Sequence, residues 1–87
     1  MNFNENTILR KNPDISTRNY LKSTIIEPGI TLNEVATNLF ERIDGIRTLA
    51  EICKDMVKEY EVDYQTILGD SVELVQGLIE KNIILVE

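Results

Sequence analysis

The chain has 87 residues, 43% of them apolar and 28% charged, with fifteen acidic side chains against nine basic ones and a formal net charge of −6. A chain this short holds one hydrophobic core and leaves little surface for a deep enclosed cavity, which argues against a large enzyme pocket. Residues 1–32 carry four basic and three acidic side chains, whereas residues 33–87 carry five basic and twelve acidic. Nucleic-acid binding draws on Lys and Arg neutralising phosphates, so this balance argues against DNA, RNA and anionic membrane surfaces as partners.

Cys53 has no second cysteine to pair with and the chain has no histidine, so neither a disulfide nor a set of soft zinc ligands is available. Packing alone must hold the fold, and no cofactor or metal is expected. The first residues lack the basic start and apolar run of a signal peptide, and no window approaches the roughly 18 apolar residues of a membrane span. The expected setting is the cytoplasm. Without His the commonest general base is missing, and Glu51 and Asp55 beside Cys53 raise a thiol pKa rather than lower it. Gly29, Gly45, Gly69 and Gly77 are isolated and form no phosphate loop. The sequence points to a protein that is not an enzyme.

Before Asn33 the chain reads as β-leaning runs separated by turn residues, with 1–7 frayed at the start of a single domain over 1–87. Thr7–Arg10, Ile15–Thr17 and Asn19–Glu27 are the runs, and Asn12-Pro13-Asp14 separates the first two. Pro28-Gly29 matches the second and third positions of a type II turn, so the strand ending near Glu27 returns as a strand reaching Leu32.

Three helical periods follow. Asn33 is an N-cap, and Ala36, Leu39, Phe40 and Ile43 mark a helix over 34–43 that stops at Asp44-Gly45. Thr48 and Glu51 form a capping box, and Leu49, Ile52, Met56, Val57 and Tyr60 make the buried stripe of a helix over 49–60. The third helix starts after Asp63 and stops at Asn82, which tolerates the left-handed conformation. It carries two apolar stripes. Ile67, Ser71, Leu74 and Leu78 share one line; Leu68, Val72, Val75 and Ile79 share another about 80 to 100° away. So wide an apolar arc either packs on two sides or leaves one edge lining a groove. Gly77 falls on the opposite side, and nothing in the pattern explains it beyond tolerance or close approach of a neighbour.

The fold class expected is α+β: a three-stranded N-terminal antiparallel sheet followed by three helices, the element order of a winged helix-turn-helix. The third helix nevertheless carries Asp63, Asp70, Glu73 and Glu80 against a single Lys81, which denies it a DNA-reading role.

Leu32-Asn33-Glu34 and Ala36, then Asp44-Gly45, Thr48 and Glu51-Ile52, then Asp70, Leu74, Leu78 and Ile84, resemble the PqqD-like family over about residues 28–85. Members are peptide-recognition elements of pathways that modify ribosomally made peptides. The resemblance implies a winged helix-turn-helix that takes the leader of a precursor peptide as an added strand. Carried onto this chain, the strand edge is Gly29, Ile30, Thr31, Leu32 and Asn33, and the groove wall is Leu68, Val72, Val75 and Ile79. The register leaves either Ile30 or Leu32 facing the peptide. The acidic third helix favours Lys or Arg in the leader. Asn82 stands where the family often has glycine. The implied partners are the precursor peptide and a modifying enzyme, a radical SAM enzyme first, or a protease in a lasso-peptide system. A small winged-helix transcription regulator and a structural subunit with a dimer interface are the readings from other classes; a monomer or weak dimer is expected.

Overall fold

The computed structural model describes residues 3–27 and 29–86. The elements run β1 (Leu9–Lys11), β2 (Thr17–Tyr20), β3 (Ser23–Ile26), β4 (Ile30–Leu32), α1 (Glu34–Glu41), α2 (Leu49–Tyr60), α3 (Tyr64–Glu80) and β5 (Ile84–Val86). The α+β class and the three helices match the expectation; the strands do not. There are two antiparallel sheets, β2-β3-β4 and a two-stranded ribbon β1-β5, in place of one three-stranded sheet.

Two corrections account for the difference. The run over 19–27 is broken by a two-residue loop, Leu21-Lys22, closed by the Tyr20↔Ser23 pair. Leu21 adopts φ 58° there, a conformation usually left to Gly, Asn or Asp, so the turn has no sequence signal. The first run pairs with the other end of the chain, Leu9 opposite Val86 and Lys11 opposite Ile84, a partner no local pattern announces. Asn12-Pro13-Asp14 turns as expected, with the Asp14 N–H donating to Asn12 Oδ1 at 3.0 Å. Across the expected Pro28-Gly29 turn, Ile26 pairs with Ile30; Pro28 itself lies outside the described residues.

Of the stretch 1–7 that is expected to fray, Met1 and Asn2 lie outside the described residues. Phe3 packs on the core, and the carbonyls of Thr7 and Glu5 accept the N–H groups of Leu49 (3.1 Å) and Ala50 (2.7 Å), donors that a helix start otherwise leaves unpaired. The Tyr64 hydroxyl donates to Glu5 Oε1 at 2.9 Å. Loss of water around the ring, and then the Glu5 carboxylate, push the Tyr64 phenol up to about 12.

The helices keep their expected caps. The Ala36 N–H donates to Asn33 Oδ1 at 2.8 Å, and Thr48 and Glu51 close the capping box reciprocally. α1 ends at Glu41 rather than Ile43, because the Arg42 and Ile43 N–H groups bond three residues back and tighten the last turn. Gly45 follows at φ 77° and donates to the Leu9 carbonyl at 2.9 Å. α3 ends in a Schellman arrangement: Asn82 at φ 59°, the Ile83 N–H on Leu78 O (2.9 Å) and the Asn82 N–H on Ile79 O (3.0 Å). Leu9, Ile26, Leu39, Leu49, Ile52, Met56, Val75 and Ile84 form the centre of the core. Among the described residues no helix is long and apolar enough to cross a membrane.

The corner between α1 and α2 is held by Asp44. Its Oδ1 accepts the N–H groups of Ile46 and Arg47, both at 3.0 Å, and its Oδ2 accepts Arg47 Nε at 3.1 Å. These bonds, that from the Arg47 backbone foremost, hold the Asp44 carboxyl below its ordinary 3.8. A carboxyl whose pKa is lower folded than unfolded stabilises the fold above the unfolded value and loses that contribution as pH falls through the folded one. Asp44→Asn is therefore expected to be less stable than the parent at pH 7, with the gap closing below about pH 4. Urea melts at both pH values read this, and a gap unchanged in acid would show that the charge is irrelevant.

Candidate functional site

β4 is an edge strand: among the described residues it pairs with β3 alone, through Thr24↔Leu32, Ile25↔Thr31 and Ile26↔Ile30. Such an edge leaves main-chain donors and acceptors for another strand. Beyond it lies a cavity of about 460 Å³ between β4 and α3, bounded by Ile30, Thr31 and Leu32 on one side and by Leu74, Gly77 and Leu78 on the other, with Asp70, Glu73 and Lys81 at its rim. A second cavity of about 430 Å³ continues from it between α1 and α3. Asn33, Val35 and Ala36 line one wall of it, Leu39, Met56 and Ile67 also line it, and Asp70 and Leu74 are common to both cavities.

The opposite edge, β2, is different. All four of its residues are exposed, and the cavity beside it, about 400 Å³, is lined by Lys11, Asn12, Pro13 and Glu41 among others, with Lys11 Nζ 5.1 Å from the Phe40 ring centroid. The β4 edge, by contrast, lies beside a cavity that Leu74, Gly77 and Leu78 of α3 help to line.

The expected strand-edge residues therefore lie together. Gly29 and Thr31 are exposed, Ile30 is half-buried and Leu32 is 4% exposed. Ile30 and Leu32 share the sheet face that packs on the core, with Thr31 on the other, and all three line the cavity. Asn33 caps α1 and lines the second cavity.

The expected wall is a different matter. Leu68, Val72, Val75 and Ile79 line neither cavity: Val75 is 0% and Ile79 7% exposed, and Leu68 and Val72 pack half-buried against the core. α1, α2 and β5 pack against α3, and residues of α3 and β4 line the first cavity together. On the α3 side the first cavity is lined by the row Asp70, Leu74, Gly77 and Lys81, spaced four, three and four residues apart, and by Glu73 and Leu78. Apolarity alone ranks that row below the buried stripe. Leu74 and Leu78 stand in the first apolar stripe that the periodicity marks, and Asp70 and Leu74 are among the residues that carry the family resemblance.

Asp70 and Glu73 have no ion pair among the described residues, whereas Asp44, Asp55 and Glu59 are each matched by an arginine. Cys53 is buried, and burial pushes its thiol up despite the Ser71 hydroxyl beside it, so it is no nucleophile. No group of three His, Cys, Asp or Glu side chains among the described residues could hold a metal.

The region matched in comparison with known proteins includes β4 and α3. The family model for coenzyme PQQ synthesis protein D (PqqD) matches residues 25–84, from within β3 through β4 and the three helices to the first residue of β5. The chain belongs to the PqqD family. Curated relatives include a protein named "PqqA binding protein" from Xanthomonas oryzae pv. oryzae (strain PXO99A), 33% identical over 55 residues, 63% of this chain and 60% of the relative. Proteins of the same name from Xanthomonas euvesicatoria pv. vesicatoria (strain 85-10) and Xanthomonas axonopodis pv. citri (strain 306) are each 31% identical over the same shares. The chain thus spans about 60% of the length of these PqqD relatives. No solved structure matches it significantly. β1 and β2 fall outside the PqqD match.

Proposed function

We propose that the chain is a non-catalytic binding protein for the leader of a ribosomally made precursor peptide, and that it presents this peptide to a modifying enzyme, a radical SAM enzyme first among them. The leader adds to β4 as an antiparallel strand, bonding to the main chain of Gly29–Asn33 and laying alternate side chains against Leu74 and Leu78. The observation that carries this reading is the free β4 edge opening onto the apolar flank of α3, inside the part of the chain that the PqqD model matches. The relatives' name supports it, since those proteins are named for binding PqqA. The winged helix-turn-helix reading of the scaffold belongs to the same proposal, with the third helix serving as a wall for peptide rather than a reader of DNA. Affinity near micromolar, about −8 kcal/mol, is enough to raise the local peptide concentration at a partner enzyme.

An NMR titration of the labelled protein tests this, using a synthetic peptide that covers the amino-terminal half of a short precursor encoded beside the gene. The expected result is shifts concentrated at Ile30–Asn33 and along Asp70–Lys81. Shifts confined to Leu68, Val72 and the β1-β5 ribbon would place the peptide elsewhere, and silence with two such precursors would sink the reading.

A further inference from the structure

Gly77 stands in the interior of α3, four residues before the C-cap Lys81, and takes no part in ending the helix, which Asn82 does. A glycine there lowers helix stability relative to alanine. The fold does not ask for it. A Cβ built on Gly77 meets nothing within 4 Å, so no neighbouring backbone requires the missing side chain. The residue lines the cavity between α3 and β4, flanked by Leu74, Leu78 and Lys81 and facing Ile30, Thr31 and Leu32. Gly69 also has open space at its Cβ but lines neither cavity, so openness alone is not the point.

We infer that Gly77 is a notch in the α3 wall that receives a large apolar side chain of the bound strand, and thereby sets which peptides fit; this rests on the leader-binding reading above. A strand added to β4 lies about 4.8 Å from it and points every second side chain to one face. One of those side chains meets α3 at the level of Gly77, where the helix surface is recessed by the absent side chain and bounded by the Leu74 and Leu78 side chains. The ligand class is an extended peptide carrying Leu, Phe or Tyr at that α3-facing position, with small or polar residues tolerated at the alternate positions that face away.

The same labelled leader-half peptide, titrated by fluorescence anisotropy against the parent, Gly77→Ala and Gly77→Leu, tests this alongside thermal melts. Gly77→Ala is expected to melt about 4 °C or more above the parent, because alanine is the better helix former and finds open space. Its peptide Kd rises about threefold, and that of Gly77→Leu at least about tenfold, as the notch fills. Replacing the peptide's large apolar residues by Ala one at a time identifies the one whose truncation weakens binding to the parent but not to Gly77→Leu. Parent-like affinity in both variants overturns the notch while leaving leader binding intact. So does a lower melting temperature in Gly77→Ala, which would make the glycine a requirement of the fold. No binding by the parent overturns leader binding and the notch together.

Discussion

Leu74→Glu is expected to weaken leader-peptide binding by about a hundredfold or more while the domain stays folded. Leu74 is half-exposed and is one of the two residues common to both cavities, so any strand laid along β4 covers it. In the free protein a glutamate at this position reaches solvent, and it retains good helix propensity. In the complex the carboxylate is trapped against the apolar side chains of the bound strand, and Asp70 one turn earlier repels it. Loss of the leucine's partial burial costs about 1 kcal/mol, which lowers the melting temperature by roughly 4–8 °C in a domain this size. Anisotropy titration with a circular-dichroism melt separates the two effects. Leu74→Met keeps the volume and apolarity and is expected to bind like the parent. Binding that survives Leu74→Glu would move the peptide off this wall.

Leu9→Ala is expected to produce the opposite pattern, a large loss of stability with little change in peptide affinity. Leu9 is 1% exposed and sits at the centre of the core, although it lies in a three-residue strand near the start of the chain. Truncation removes buried methyl groups and leaves a cavity, at a cost of about 3 kcal/mol. The melting temperature then falls by about 12 °C or more. The backbone bond from the Gly45 N–H to the Leu9 carbonyl survives the change, so the α1–α2 corner keeps its geometry. Affinity is measured at a temperature where the variant remains folded. A fall of only a degree or two would mean that the amino-terminal arm contributes nothing to the core.

What was legible in the sequence was whatever short-range chemistry encodes. Asn33, Thr48 with Glu51, and Asp63 each start a helix where their side chains accept backbone N–H groups, and Asn82 stops one by turning left-handed. The strand edge Ile30–Leu32 was legible for a similar reason, as a short β-leaning run bounded by a turn and a cap. What stayed hidden was non-local or chemically silent. The Leu21 turn carries no Gly, Asn or Asp, and the pairing of Leu9 with Val86 joins segments that share no neighbour in sequence. The expected groove wall does not line the cavity, because apolarity marks what is buried most deeply: Val75 and Ile79 go inside, while the cavity is lined by the more mixed row Asp70, Leu74, Gly77 and Lys81. Gly77 was visible as an anomaly of propensity, and the cavity beside it gives that anomaly a place.

The β1-β5 ribbon has a consequence for the order in which the molecule assembles. Its two strands come from opposite ends of the chain, so no local preference can bring them together early. The loop-closure entropy they must overcome is close to the largest this chain can present. The helices and the β2-β3-β4 meander, by contrast, are built from neighbours in sequence. Ribbon closure therefore falls late in folding, after the last residues of β5 have emerged from the ribosome. Every residue that lines the β4–α3 cavity lies between Ile30 and Lys81, within the span the ribbon encloses. The clasp closes around the β4–α3 cavity and braces it from both sides, through β5 against α3 and through Leu9 in the core.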